Sequence, residues 1–91
     1  MASRVLIVED EAAQRRILEE TVKRLGFDVA TAESGLRGLD YLRTSNGASV
    51  ELVILDLVMP EMGGLEFLES LQAIRGDLPV IVQTSQGSIE T

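Results

Sequence analysis

The chain contains no cysteine and no histidine. Without cysteine there are no disulfides, no thiolate metal sites and no cysteine nucleophile, a composition that predicts a cytoplasmic protein. Without histidine there is no imidazole base and no histidine metal ligand. Tryptophan is also absent and aromatic residues make up only 3% of the chain, so there is little on which nucleobases could stack. Positive charge is scarce: eight Lys and Arg face fifteen Asp and Glu, for a net charge of -7. Such a surface repels a phosphate backbone, and no direct nucleic-acid binding is expected. No apolar run is long enough to cross a bilayer, so no membrane span is expected. The first apolar segment begins at Arg4, which predicts that no signal peptide precedes it. What remains, 91 residues of which 45% are hydrophobic, suffices for one small domain.

Apolar runs and helix-forming segments alternate along the chain. Arg4-Val5-Leu6-Ile7-Val8 and Leu52-Val53-Ile54-Leu55 read as short strands buried on both faces, as in a parallel sheet. Residues 11–25 read as a helix, with Ile17, Leu18, Val22 and Leu25 near one face and Gly26 at its C-terminal end. Residues 27–32 alternate as a half-buried strand. Ser34 is a candidate N-cap for a helix to Arg43 with Leu36, Leu39 and Leu42 at helical spacing. Residues 44–49 read as polar loop. Residues 64–74 form a third helix with an inner stripe of Leu65, Leu68, Leu71 and Ile74, and residues 80–84 a fourth strand. Strict alternation of strand and helix predicts right-handed crossovers and a parallel α/β sheet. The sheet reads as unfinished at residue 91.

Each of the two apolar strands ends in acid: Glu9-Asp10-Glu11 after the first, Asp56 after the other. Open α/β sheets place their chemistry at the carboxyl ends of their strands, so these side chains are expected to share one pocket. Carboxylates within about 5 Å repel by roughly 3 kcal/mol per pair at an effective dielectric near 20. A counter-cation or a raised pKa must relieve that repulsion. Oxygen ligands alone suit a hard cation, and a few carboxylates with waters and a phosphate describe Mg²⁺. Such an ion would also make Asp56 a nucleophile towards a phosphoryl group. The competing reading is that Glu9, Asp10 and Glu11 only complement the positive end of the following helix, and for Glu11 that reading is preferred. The Val58 carbonyl is a candidate neutral ligand. Thr84, ending the fourth strand on the same edge, either caps a following helix or donates to a phosphoryl oxygen; its place beside the acid pocket favours the donor role. In Met59-Pro60-Glu61-Met62-Gly63-Gly64, Pro60 stiffens the turn after Asp56 and a glycine supplies freedom before the helix.

These segments resemble, in order and spacing, the receiver domain of two-component response regulators. The resemblance rests on Val5-Leu6-Ile7-Val8-Glu9-Asp10-Glu11, on the stretch from Val53-Ile54-Leu55-Asp56 to Gly63-Gly64, and on Pro79-Val80-Ile81-Val82-Gln83-Thr84. Gly87-Ser88-Ile89-Glu90-Thr91 adds a weaker likeness to NtrC-like regulators. The resemblance implies a doubly wound, flavodoxin- or CheY-like parallel sheet of order 2-1-3-4-5. Residues 1–91 would be one receiver domain, incomplete at its C-terminus, with the last strand and helix absent. It implies that Asp56 accepts a phosphoryl group from a histidine kinase or phosphotransfer protein and that an output domain or effector reads the result. It implies Mg²⁺ held by Asp10 and Asp56, by Glu9 through water, and by the Val58 carbonyl, with Thr84 as the switch hydroxyl. Glu9 stands where the family more often has Asp. The family's lysine on a fifth strand has no counterpart here, and Lys23, far along the first helix, does not replace it.

Two other functions remain in view. A haloacid-dehalogenase-like phosphohydrolase also uses an Asp after an apolar strand, but its general acid-base Asp two residues on is replaced by Val58. A receiver-like interaction module that is never phosphorylated has no need of Asp10, Asp56 and Thr84 together. The expected protein is therefore a switch rather than an enzyme. In a 91-residue form, Val80-Ile81-Val82-Gln83-Thr84 would be an uncharged sheet edge, so self-association through it is expected.

Overall fold

The computed structural model describes residues 3–56 and 64–83. The first apolar run forms β1 (Arg4–Val8), followed by α1 (Ala12–Arg24), β2 (Asp28–Ala32) and α2 (Gly35–Leu42). A 3₁₀ turn (Asn46–Ser49) leads into β3 (Val50–Asp56), then α3 (Gly64–Arg75) and β4 (Val80–Gln83). The strands are parallel, in the order β2-β1-β3-β4. This agrees with the expected 2-1-3-4-5 order over the described residues, among which there are four strands.

The central strands β1 and β3 are apolar on both sides because each side meets a helical layer. Leu6, Val8, Val53 and Leu55 join Leu39 and Leu42 of α2 and Phe67 and Leu71 of α3 in the larger core. Val5 and Ile7, with Leu52 and Ile54, face Leu18 and Val22 of α1. The register pairs Val8 with Leu55, so the next residues, Glu9 and Asp56, lie side by side at the carboxyl edge of the sheet.

Local signals set the ends of the helices. Ser34 caps α2 by accepting a hydrogen bond from the Arg37 amide at 3.2 Å. Gly26 follows α1 with φ of 99°, the left-handed conformation in which glycine pays no Cβ penalty. Gly38 allows α2 to approach the sheet: a Cβ there would meet Val8 Cγ2 at 3.0 Å and Phe67 Cε1 at 3.3 Å.

The helical faces differ from the periodic expectation. Ile17 is 57% exposed and Leu25 lies past the last helical residue, leaving Leu18 and Val22 to cover the sheet. Leu36 is exposed on α2. On α3, Leu68, Leu71 and Ile74 of the expected stripe pack in the core, but Leu65 is 72% exposed, and Phe67, unassigned by the spacing, is fully buried beside Leu71. A helix with apolar residues on more than one flank has several possible inner faces, and the neighbouring strand and helix choose among them. Residues 44–49 are only partly loop. The 3₁₀ turn there is tied down by Arg75, whose guanidinium donates to the Gly47 carbonyl at 3.3 Å and the Val50 carbonyl at 3.2 Å.

Candidate functional site

Glu9 directly follows β1 with its side chain fully buried, an unusual position for an acid. Its backbone is fixed on two sides. The amide donates to the Ala32 carbonyl at 3.0 Å, joining the ends of β1 and β2, and its carbonyl accepts from Arg15 Nη1 at 3.0 Å. Glu9 Oε2 accepts from the Glu11 amide at 3.2 Å. Oε1 is buried without a hydrogen-bond partner among the described residues.

Asp56, the last residue of β3, is likewise fully buried, whereas Asp10 is exposed. Ligand oxygens from Glu9, Asp10 and Asp56 all lie within 4.8 Å of one another. The three carboxylates assigned to one edge from the sequence thus converge. Glu11 occupies the N-cap position of α1, where its charge meets the positive end of the helix. Val58 and Thr84 lie outside the described residues.

The electrostatics follow from this packing. Burial pushes the Glu9 carboxyl from its ordinary value of 4.5 up to about 7; the Glu11 amide opposes the rise, while the charge of Asp56, a hydrogen bond with it and the charge of Asp10 add to it. The folded protein therefore holds the Glu9 proton more tightly than the unfolded chain does. This stabilising contribution is complete below the ordinary value and is lost as pH rises through about 7. Denaturant titrations of the metal-free protein should show stability falling across that window. Glu9→Gln should flatten the slope, and a variant with the parent's slope would overturn the assignment.

An all-oxygen donor set with a buried, unpartnered carboxylate oxygen suits a small hard cation. Metal occupancy would also offset the mutual repulsion of the acids.

Two neighbours of this edge were not assigned from the sequence. Arg15 reaches back from the second turn of α1 to the Glu9 carbonyl. Gln83, at the end of β4, pairs in register with Asp56. A polar residue closing an apolar run was the only trace of the second, and nothing in the sequence marked the first.

The sequence matches the model of the response regulator receiver domain over residues 5–91. It is 39% identical over 85 residues to the transcriptional regulatory protein GlrR of Escherichia coli, covering 93% of this chain and 18% of GlrR. It is 38% identical over 87 residues to a chemotaxis protein CheY homolog of Campylobacter jejuni, covering 92% of this chain and 65% of that protein. The fold is similar to that of TrrA of Thermotoga maritima, solved in complex with Mg²⁺-BeF, with a TM-score of 0.80 and 33% identity over 93% of this chain and 70% of that one. A structure of the histidine kinase ThkA in complex with TrrA matches with a TM-score of 0.83 and 32% identity, covering 100% of this chain and 75% of that one. The chain thus spans less than a fifth of GlrR and about two thirds of the CheY homolog.

Proposed function

The chain belongs to the response regulator receiver domain family, and from that premise we propose that Asp56 is its phosphoacceptor. The observation that carries this reading is the convergence of Glu9, Asp10 and Asp56 within 4.8 Å at the carboxyl edge of the sheet. In the transfer, an Asp56 carboxylate oxygen bonds to phosphorus as the phosphorus–nitrogen bond of a donor phosphohistidine breaks. The bonding pair returns to the imidazole nitrogen. Burial at the end of β3 holds Asp56 in one orientation for that attack. Glu9, Asp10, Asp56 and the Val58 carbonyl would hold Mg²⁺. When bound, the ion neutralises charge on the transferring oxygens. Glu9 must first lose its proton, so loading should weaken as pH falls below about 7. Thr84 would then donate its hydroxyl to a phosphoryl oxygen and bias a two-state element.

The product is a signalling state rather than a turned-over substrate, so the domain acts as a switch and not as an enzyme. Its donor would be a histidine kinase or phosphotransfer protein, in keeping with the ThkA–TrrA complex. Its reader would be an output domain or effector, in keeping with the much greater length of GlrR. The net charge of -7 argues against direct contact with nucleic acid. No helix among the described residues is long and apolar enough to cross a membrane, and a cytoplasmic site fits the cysteine-free composition. Incubation of the full-length protein with acetyl phosphate and Mg²⁺, followed by intact-mass measurement, tests the reading. One added phosphoryl group is expected with Mg²⁺ present and none when the metal is chelated beforehand; absence of label under both conditions would leave the non-phosphorylated interaction module.

Self-association belongs to the same reading. Among the described strands β4 lies at the sheet edge, and its Ile81 and Val82 are 52% and 43% exposed. An uncharged apolar edge of this kind templates pairing with another chain. A polypeptide confined to residues 1–91 should associate in light scattering, and a monodisperse monomer that unfolds cooperatively would refute this.

A further inference from the structure

Gln83 closes β4, and its register partner on β3 is Asp56. Residues paired in this way project to the same face of a sheet. Two residues earlier the same ladder pairs Ile81 with Ile54, and Ile54 belongs to the cluster on the α1 side. Gln83 therefore stands on that face, at the carboxyl edge, in the row that carries the acid site. Its amide nitrogen Nε2 is buried and, among the described residues, has no hydrogen-bond partner. Buried donors in folded proteins are nearly always paired, and one that is not requires a reason. Local propensity supplies none: the preceding Val80, Ile81 and Val82 are the apolar residues that a strand favours. A fourth β-branched residue, at position 83, would have avoided the unpaired group. Glutamine does something that neither an apolar residue nor a lysine does, bringing two N–H donors to an acidic cluster without changing its charge.

We infer that Gln83 is a further hydrogen-bond donor of the phosphoacceptor site, its Nε2 donating to an oxygen of the phosphoryl group carried by Asp56. The inference rests on the reading of Asp56 as phosphoacceptor. The tetrahedral group adds three oxygens beyond the carboxylate, which extends the acceptor surface towards the neighbouring strand. Hydrogen bonds to charged acceptors are the stronger kind, so the donor favours the phosphorylated over the free state. In the free state the same unpaired amide is a burden on the fold. Stability and anion binding should therefore respond to its removal in opposite directions.

The test uses the full-length protein as parent, Gln83→Leu, which removes the donor at similar volume, and Gln83→Asn, which withdraws it by one methylene. Three quantities are measured: Mg²⁺ affinity alone, beryllium fluoride affinity at saturating Mg²⁺, and thermal stability without either. Mg²⁺ affinity should be unchanged within about twofold, because Gln83 supplies no metal ligand. Beryllium fluoride affinity should fall about tenfold in both variants, the scale of one lost hydrogen bond to a charged acceptor. Gln83→Leu should melt no lower than the parent. Gln83→Asn provides the affinity comparison should the leucine variant fail to fold. Parent-like beryllium fluoride affinity in the variants overturns this inference alone. A parent that binds Mg²⁺ but takes up no beryllium fluoride overturns both this and the phosphoacceptor reading.

Discussion

Asp56→Asn is expected to reduce phosphoryl labelling by acetyl phosphate to background while leaving the fold intact. An amide is not a nucleophile towards phosphorus under these conditions, and among the described residues no other carboxylate stands at the end of β3. Glu9 is held by the Glu11 amide and by its own backbone ties, and Asp10 is exposed. The substitution conserves size, so the fully buried position should accept it without a cavity. It also removes one charge from a group of three, where each pair repels by roughly 3 kcal/mol at an effective dielectric near 20. The metal-free variant should therefore unfold no more easily than the parent, and Glu9 should titrate closer to the ordinary carboxylate range, since the charge of Asp56 is one cause of its elevation. Intact-mass spectra after acetyl phosphate treatment, with thermal unfolding of the same samples, give both readings. Labelling of the Asn variant to the parent's extent would place the phosphoacceptor elsewhere.

Gly47→Ala should be among the most damaging single substitutions in the fold, although the residue lies far from the acid site. A Cβ at Gly47 would run into the Tyr41 carbonyl oxygen and the Leu42 backbone, which belong to the end of α2 and cannot rotate away as a side chain would. The turn is also held at three points. Its amide donates to the Thr44 carbonyl at 3.0 Å and approaches Thr44 Oγ1 at 3.2 Å, and its carbonyl accepts from Arg75 at 3.3 Å. Shifting the turn to admit a methyl group strains all three and disturbs the entry into β3, the strand that carries Asp56. A loss of about 3 kcal/mol or more is expected, the upper range of overpacking costs. Gly26→Ala supplies the contrast. Gly26 needs a positive φ, but among the described residues nothing lies within 4 Å of where a Cβ would sit, so the cost there should stay near 1 kcal/mol. Urea unfolding of the two variants should separate them clearly, and equal stabilities would show that the turn yields.

Features encoded in short contiguous segments were legible along the chain. Two apolar runs ending in acid marked β1 and β3, Ser34 and Gly26 marked helix ends, and strand–helix alternation implied a parallel sheet with its acids on one edge. These signals survive because each depends on neighbours along the chain: a capping hydroxyl, a left-handed glycine, a run with no polar residue to break it. Features that depend on contact between distant segments emerge only from the packing. Leu65 and Phe67 of α3 are both apolar, and only packing against the sheet and α2 turns Phe67 inward and Leu65 out. Gly47 looks like any loop glycine until the end of α2 closes over it. Arg15, Arg75 and Gln83 acquire their positions from a helix direction, a latch across elements and a strand register. Periodicity restricts which faces a helix can bury, but neither the rotation of that helix nor the pairing of two strands is written in either segment alone, because each is settled by the surface it meets.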